Sequence, residues 1–267
     1  MSKSVTGRSV PLSPARRMVG DILQASRQLP LVAGERTMHL KKLVDARRAA
    51  EPTKRPSWLA MFVKALARAA DRHPELRRVF LTRPWHRLYQ YNENIVGIVV
   101  ERDCGGGEPG LFLARIHSPE KLTLAEIDAQ VRKHKDRPLD EISGFKNALR
   151  MARMPLFVRR FVWSLMMNWM PRLRAKFLGN IGISLTAGMG AVGLTLLTPW
   201  TFTAFYDAFE DDGSLTFRFM LDHRVFDGHL ACRAARAIEQ ELCGAILDEV
   251  RALKAPDVAQ PGPAQAA

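Results

Sequence analysis

The sequence predicts an α/β fold in which amphipathic helices pack on a sheet. Three observations carry this. Residues 58–72 place Leu59, Phe62, Val63, Leu66, Ala69 and Ala70 on one helical face. Residues 94–101 contain the run 96–100, which is mostly β-branched, as a buried strand should be. Residues 215–221 read as a strand that passes through a short bend into a helix-patterned stretch, 229–253. With 267 residues, 47% of them hydrophobic, the chain can fill a substantial core, and no long Pro/Ser/Gly linker divides it. One domain over residues 13–254 is expected. A polar arm, 1–12, precedes it, and a tail rich in Pro, Gln and Ala, 255–267, is expected to be disordered.

The remaining elements follow in order. Ser13 and Pro14 read as the cap and first position of a helix reaching about residue 26, with Met18, Ile22 and Leu23 on one face. Residues 31–40 read as a strand and 40–48 as a short basic helix. Ser57 caps the 58–72 helix and Pro74 closes it. After strands at 88–91 and 94–101, Gly105-Gly106-Gly107 reads as a hairpin turn into 111–116, and 124–134 is helical. Residues 142–178 crowd Met, Trp, Phe and Leu among arginines, and Pro155 and Pro171 bracket one helix there. Residues 179–186 alternate, with Gly182, Ser184 and Thr186 on one side and Ile181, Ile183 and Leu185 on the other. Strands at 192–197, 201–209 and 214–221 follow, with a Glu210-Asp211-Asp212-Gly213 turn before the last. In the final helix Cys232 and Cys243 are expected to pack inward.

The chain is organised around Asp222-His223-Arg224-Val225-Phe226-Asp227-Gly228, where a strand ends and Gly228 allows a sharp bend. Imidazole titrates near neutrality and can take a proton from a thiol or hydroxyl. A carboxylate four residues on can pin the backbone or pair with an arginine, fixing where that imidazole points.

His223-Arg224-x-x-Asp227-Gly228, preceded by Asp222, resembles the active-site signature of the dihydrolipoamide acyltransferases of 2-oxoacid dehydrogenase complexes. Arg16-Arg17-Met18 resembles that family's first core helix, residues 62–67 with Pro74-Glu75-Leu76 its second helix and following turn, and 94–99 a central strand. The resemblance implies a two-layer α/β sandwich with a mixed sheet, like chloramphenicol acetyltransferase. It also implies homotrimers, or higher multiples of trimers, with the active site between subunits. In that scheme His223 is the general base. Ile183-Ser184-Leu185-Thr186 falls on the family's hydroxyl-bearing strand, so Thr186 is the oxyanion donor and Ser184 the alternative. Asp227 holds the loop through an arginine, Arg16 or Arg17, and Arg224 makes loop or interface contacts. Coenzyme A, as acyl-CoA, is the co-substrate, with no covalently bound cofactor. Two departures stand out. The family's Gly-Leu-x-Val-Pro-Val strand is replaced by Gly110-Leu111-Phe112-Leu113-Ala114-Arg115-Ile116, and 142–178 is a basic Met/Trp-rich helical insertion. No lipoyl or subunit-binding segment precedes the core in these residues, so a stand-alone member is expected, with lipoamide arriving in trans or another acceptor in its place.

Charge and cysteine usage bound the alternatives. Forty Lys and Arg against 27 Asp and Glu give +13. Residues 132–176 hold twelve of the basic residues against three acidic ones. That excess fits an anionic substrate such as a CoA thioester or an anionic membrane surface. Nucleic acid is disfavoured, because the basic residues lie among Met and Trp and not on a groove-reading helix. Cys104, Cys232 and Cys243 have neither metal spacing nor a disulfide pattern, and no metal site is expected. The N-terminus lacks an apolar secretory core and the longest apolar run, 161–170, is too short to span a bilayer, so a cytoplasmic protein, peripheral to membrane at most, is expected. The competing readings are a non-catalytic trimeric assembly module of the same fold and a membrane-surface-binding protein.

Overall fold

The computed structural model describes residues 7–104, 109–184 and 195–254. The readings for residues 1–6, the triple glycine, Thr186, residues 192–194 and the 255–267 tail lie outside these.

The main sheet is formed by β1 (Leu31–His39), β4 (Ile95–Asp103), β5 (Pro109–His117), β6 (Ile181–Ile183), β7 (Phe202–Tyr206) and β8 (Ser214–Asp222), in the order β1-β8-β7-β6-β4-β5. The β4/β6 and β6/β7 pairs are parallel and the others antiparallel, so the sheet is mixed. A separate hairpin joins β2 (Arg78–Leu81) to β3 (Arg87–Gln90).

One face of the sheet carries α2 (Lys41–Ala49), α3 (Trp58–Arg72), α4 (Leu124–Asp136), α8 (Gly228–Cys243) and α9 (Ala245–Arg251), the second layer of the sandwich. Ser57 caps α3 as its sequence requires, its hydroxyl accepting from the Ala60 amide at 3.1 Å. The helix is buried from Leu59 to Ala67, and its Phe62 stacks on Tyr206 at 4.0 Å. Alanines 65, 67, 69 and 70 on α3 and 231, 234 and 235 on α8 are all buried, which lets the two helix backbones come close. Truncating a fully buried phenylalanine such as Phe62 costs about 3–5 kcal/mol.

The reverse face is covered differently. There α1 (Pro14–Ser26), α6 (Leu156–Asn168) and α7 (Pro171–Leu178) lie over β4 and β5, while α5 (Ser143–Ala152) closes the β5 edge. Trp200 seals this side. Its indole lies on Gly97 and Gly182, where any Cβ would collide with the ring, and it donates to the Leu178 carbonyl at 2.8 Å. Gly179 ends α7 with φ +82°, and a Cβ there would come within 2.6 Å of the Ile95 carbonyl.

The two departures noted in the sequence are one structural feature. Arg115 donates from β5 to the Phe177 carbonyl at 3.1 Å, at the C-terminal turn of α7, and its guanidinium faces Gly144 of α5. Arg159 of α6 pairs with Asp21 of α1 at 3.0 Å, both buried. Burial pushes the Asp21 carboxyl above its ordinary range, against the pull of Arg159.

Several expectations need correction. The 179–186 strand is short: β6 ends at Ile183 and Ser184 lies just beyond it. Residues 195–197 are irregular, not a strand. The last helix breaks at Gly244 into α8 and α9. Cys232 and Cys243 are exposed.

Candidate active site

β8 delivers the loop. The Asp222 amide donates to Thr201 O at 2.8 Å and the His223 amide to Pro30 O at 3.1 Å, so the chain stays gripped on both sides just as the strand ends. The amides of Val225 and Phe226 turn back to the Asp222 carbonyl at 2.9 and 3.1 Å. Phe226 is buried against Phe202. Between these anchors the His223 side chain is left exposed, with no hydrogen bond to the described residues.

The residue that fixes the loop is Asp222, which is 1% exposed. Its carboxylate accepts from the Arg224 amide at 3.0 Å, Nε at 2.9 Å and Nη2 at 2.7 Å. This is a bidentate pair with one added backbone bond. The Arg224 guanidinium also lies over the Phe80 ring, 4.7 Å from its centroid. Arg174 of α7, 4% exposed, bonds to Pro199 O at 2.7 Å. Burial lowers its pKa, and the neighbouring Tyr91 phenol and Asp222 carboxylate oppose that. α7 thus places a second cation within electrostatic reach of the loop. In the sequence Arg174 is only one of the basic residues of 132–176, with nothing to mark its burial beside the loop. For Asp222 the signal was present: an acidic residue two positions before an arginine at a strand end.

Asp227 has a different partner from the one expected. Its carboxylate caps α8, accepting from the Leu230 amide at 2.7 Å. Among the described residues neither Arg16 nor Arg17 reaches it. They lie in the first turn of α1, next to Ala15, which packs on Gly110 of β5. Four strand positions separate β5 from β8, on the order of 19 Å. Gly228 begins α8, and a Cβ there would meet nothing, so the cap and not glycine's freedom makes the bend.

Ser184 is 6% exposed, and its amide continues the ladder to Ala204 O at 3.0 Å. It lines an apolar cavity of about 360 Å³ with Trp200, Leu113 and Val99. Thr186 lies outside the described residues. Ser184 does not meet His223 within the chain. Asp222 is level with Thr201 and Ser184 with Phe205, and β7 stands between their strands. The strand spacings put the two residues on the order of 15–20 Å apart. Among the described residues there is no cluster of metal ligands, and no helix is long and apolar enough to cross a membrane.

The fold is a two-layer α/β sandwich of the acyltransferase type. The family model for 2-oxoacid dehydrogenases acyltransferase (catalytic domain) matches residues 5–142, over half of the chain, and the protein belongs to that family. The matched stretch ends before the His223 loop. The fold is that of solved acyltransferase cores. The Azotobacter vinelandii dihydrolipoamide acetyltransferase aligns at 17% identity and TM-score 0.64, over 91% of this chain and 94% of that one. The cubic core of a pyruvate dehydrogenase multienzyme complex aligns at 17% and 0.63, over 92% and 96%. A truncated catalytic core of the 2-oxoacid dehydrogenase multienzyme complex from Thermoplasma acidophilum aligns at 14% and 0.63, over 89% and 99%. At these identities the likeness is one of fold. No curated protein matches the sequence.

Proposed function

We propose that this acyltransferase moves an acyl group between coenzyme A and an acceptor thiol or hydroxyl by direct transfer, in a site shared between subunits of a homotrimer. His223 takes the acceptor's proton, and the acceptor attacks the thioester carbonyl. A hydroxyl, Thr186 or Ser184 of a second subunit, donates to the oxyanion. The C–S bond to CoA then breaks, and His223 returns the proton to the departing thiolate. An oxyanion donor contributes about 3–4 kcal/mol in comparable sites. The observation that carries the reading is the placement of His223: an exposed imidazole on a loop locked by a bidentate ion pair between buried Asp222 and partly exposed Arg224. The Azotobacter vinelandii protein supports it, since a serine, a histidine and an asparagine have been studied there for their role in catalysis. The test is release of CoA thiol, followed with a thiol-reactive dye, for acyl-CoAs of increasing chain length against thiol, alcohol and lipid acceptors. Turnover that depends on His223 supports the reading, and no turnover with any pair refutes it.

A second element concerns the insertion. Phe157 and Phe161, one turn apart on α6, are 75% and 67% exposed, and Trp169 and Met170 beyond them are also exposed. Arg153, Arg160 and Arg172 are exposed among them. Large aromatics flanked by arginines suit an anionic membrane surface. Sedimentation with anionic and neutral vesicles, at low and high salt, tests this. Salt-sensitive binding to anionic vesicles alone, lost in the Phe157→Glu/Phe161→Glu variant, is expected, and indifference to anionic vesicles refutes it.

A further inference from the structure

A cavity of about 540 Å³ opens at the end of the sheet away from His223, beneath α2, α3 and α4. Tyr206, the last residue of β7, forms part of its wall. Tyr206 is only 4% exposed, its ring is stacked on Phe62, and its hydroxyl has no hydrogen-bond partner among the described residues. The ring is buried, while the hydroxyl itself is open to the cavity and free to donate there. Burial raises its pKa, so at neutral pH it is a donor.

The charged groups around it have an unequal division of labour. Both acids are already used. Asp128 accepts from the Ser57 amide at 2.9 Å and from the Ser57 hydroxyl, and Asp207 is paired with Arg218. The cations are not. Arg47 lies over the Trp58 ring at 5.1 Å and spends its Nε on Pro56 O at 2.8 Å, which leaves both terminal nitrogens without a partner among the described residues. Arg132 and Lys135 stand exposed at the rim with no ion pair among those residues. Trp58 and Phe209, in contact at 4.1 Å, supply an aromatic wall.

The geometry points to a binding site for a small organic anion with a flat apolar body, of the aromatic carboxylate class, separate from the acyl-transfer site. The carboxylate lies between Arg47 and the Tyr206 hydroxyl, which together supply charge-assisted hydrogen bonds. The body lies on the Trp58–Phe209 wall, and the volume is in the range of small-molecule sites.

Calorimetric titration of the full chain with 2-naphthoate, and with neutral 2-naphthalenemethanol, tests the assignment. Saturable one-to-one binding of 2-naphthoate is expected, with the alcohol about tenfold weaker or worse. Tyr206→Phe, which keeps the ring stack, should weaken 2-naphthoate by about fivefold, and Arg47→Gln by about tenfold or more. Ala208→Trp, at an exposed lining position, should abolish binding while leaving acyl transfer unchanged. Absence of heat up to about 10 mM 2-naphthoate, equal affinity for the alcohol, or undiminished binding by the Ala208→Trp protein would each overturn it. None of these outcomes depends on whether His223 is the base.

Discussion

The His223 loop and the end of β6 are built on opposite terms. His223 is exposed, and everything around it is immobilised: Asp222 is buried, doubly bonded to Arg224, and backed by Arg174. Ser184 is itself buried, beside an apolar cavity closed by Trp200. One end presents a reactive group to whatever docks there. The other offers a lined hollow with a hydroxyl in its wall. The strand register holds them on the order of 15–20 Å apart within one chain, and in the proposed mechanism a second copy supplies the missing half.

The largest effect should come from the exposed end. His223→Ala should reduce acyl transfer by roughly 10²–10⁴-fold with little change in the melting temperature, because the imidazole is exposed and makes no hydrogen bond to the described residues. An undiminished rate would remove the general base from the account. Asp222→Ala should act through structure, leaving Arg224 without its counter-ion in a partly buried setting. Breaking such a pair costs about 3–5 kcal/mol, read as a lower denaturation midpoint together with lost activity. A stable, active Asp222→Ala protein would show that the ion pair does not hold the loop.

At the other end, loss of the oxyanion donor should cost roughly 10–1000-fold in turnover with little change in stability. Comparing Thr186→Ala with Ser184→Ala assigns the role, since the larger loss marks the donor. Equal and negligible losses would remove the hydroxyl end from the mechanism. The smallest effect distinguishes the two possible jobs of Asp227. As the cap of α8, Asp227→Ala should cost about 1 kcal/mol while Asp227→Asn stays near neutral, because asparagine caps as well as aspartate. If Asn is as damaging as Ala in chemical denaturation, a charge partner outside this chain is indicated.

The legible parts of the molecule were those whose patterns are local. Ser57 and its amphipathic helix, the β-branched β4, and the strand-to-helix loop around His223 were all apparent from spacing and turn chemistry. The composition of residues 142–178 was legible but their packing was not. The three helices there expose Phe157 and Phe161 yet bury Arg159 and Arg174, the reverse of what hydropathy alone suggests. Those two arginines are inside because Asp21, in one case, and the Pro199 carbonyl, in the other, lie far away in sequence. The arginine assigned to Asp227 failed for a similar reason: helix position does not reveal which sheet edge a helix starts from. β2 was overlooked because four residues pressed against a 3₁₀ turn give too short a run to read.

The central claim is that the site is completed by another subunit, and subunit mixing tests it most directly. His223→Ala chains and chains lacking the oxyanion hydroxyl (Thr186→Ala or Ser184→Ala, whichever proves damaging) should each be inactive alone. Co-expressed and purified as mixed oligomers, they should regain a substantial fraction of wild-type CoA release, since some interfaces then pair an intact His223 with an intact hydroxyl. Mixed oligomers as inactive as either parent, or full activity in a wild-type protein that remains monomeric by light scattering, would contradict the shared site.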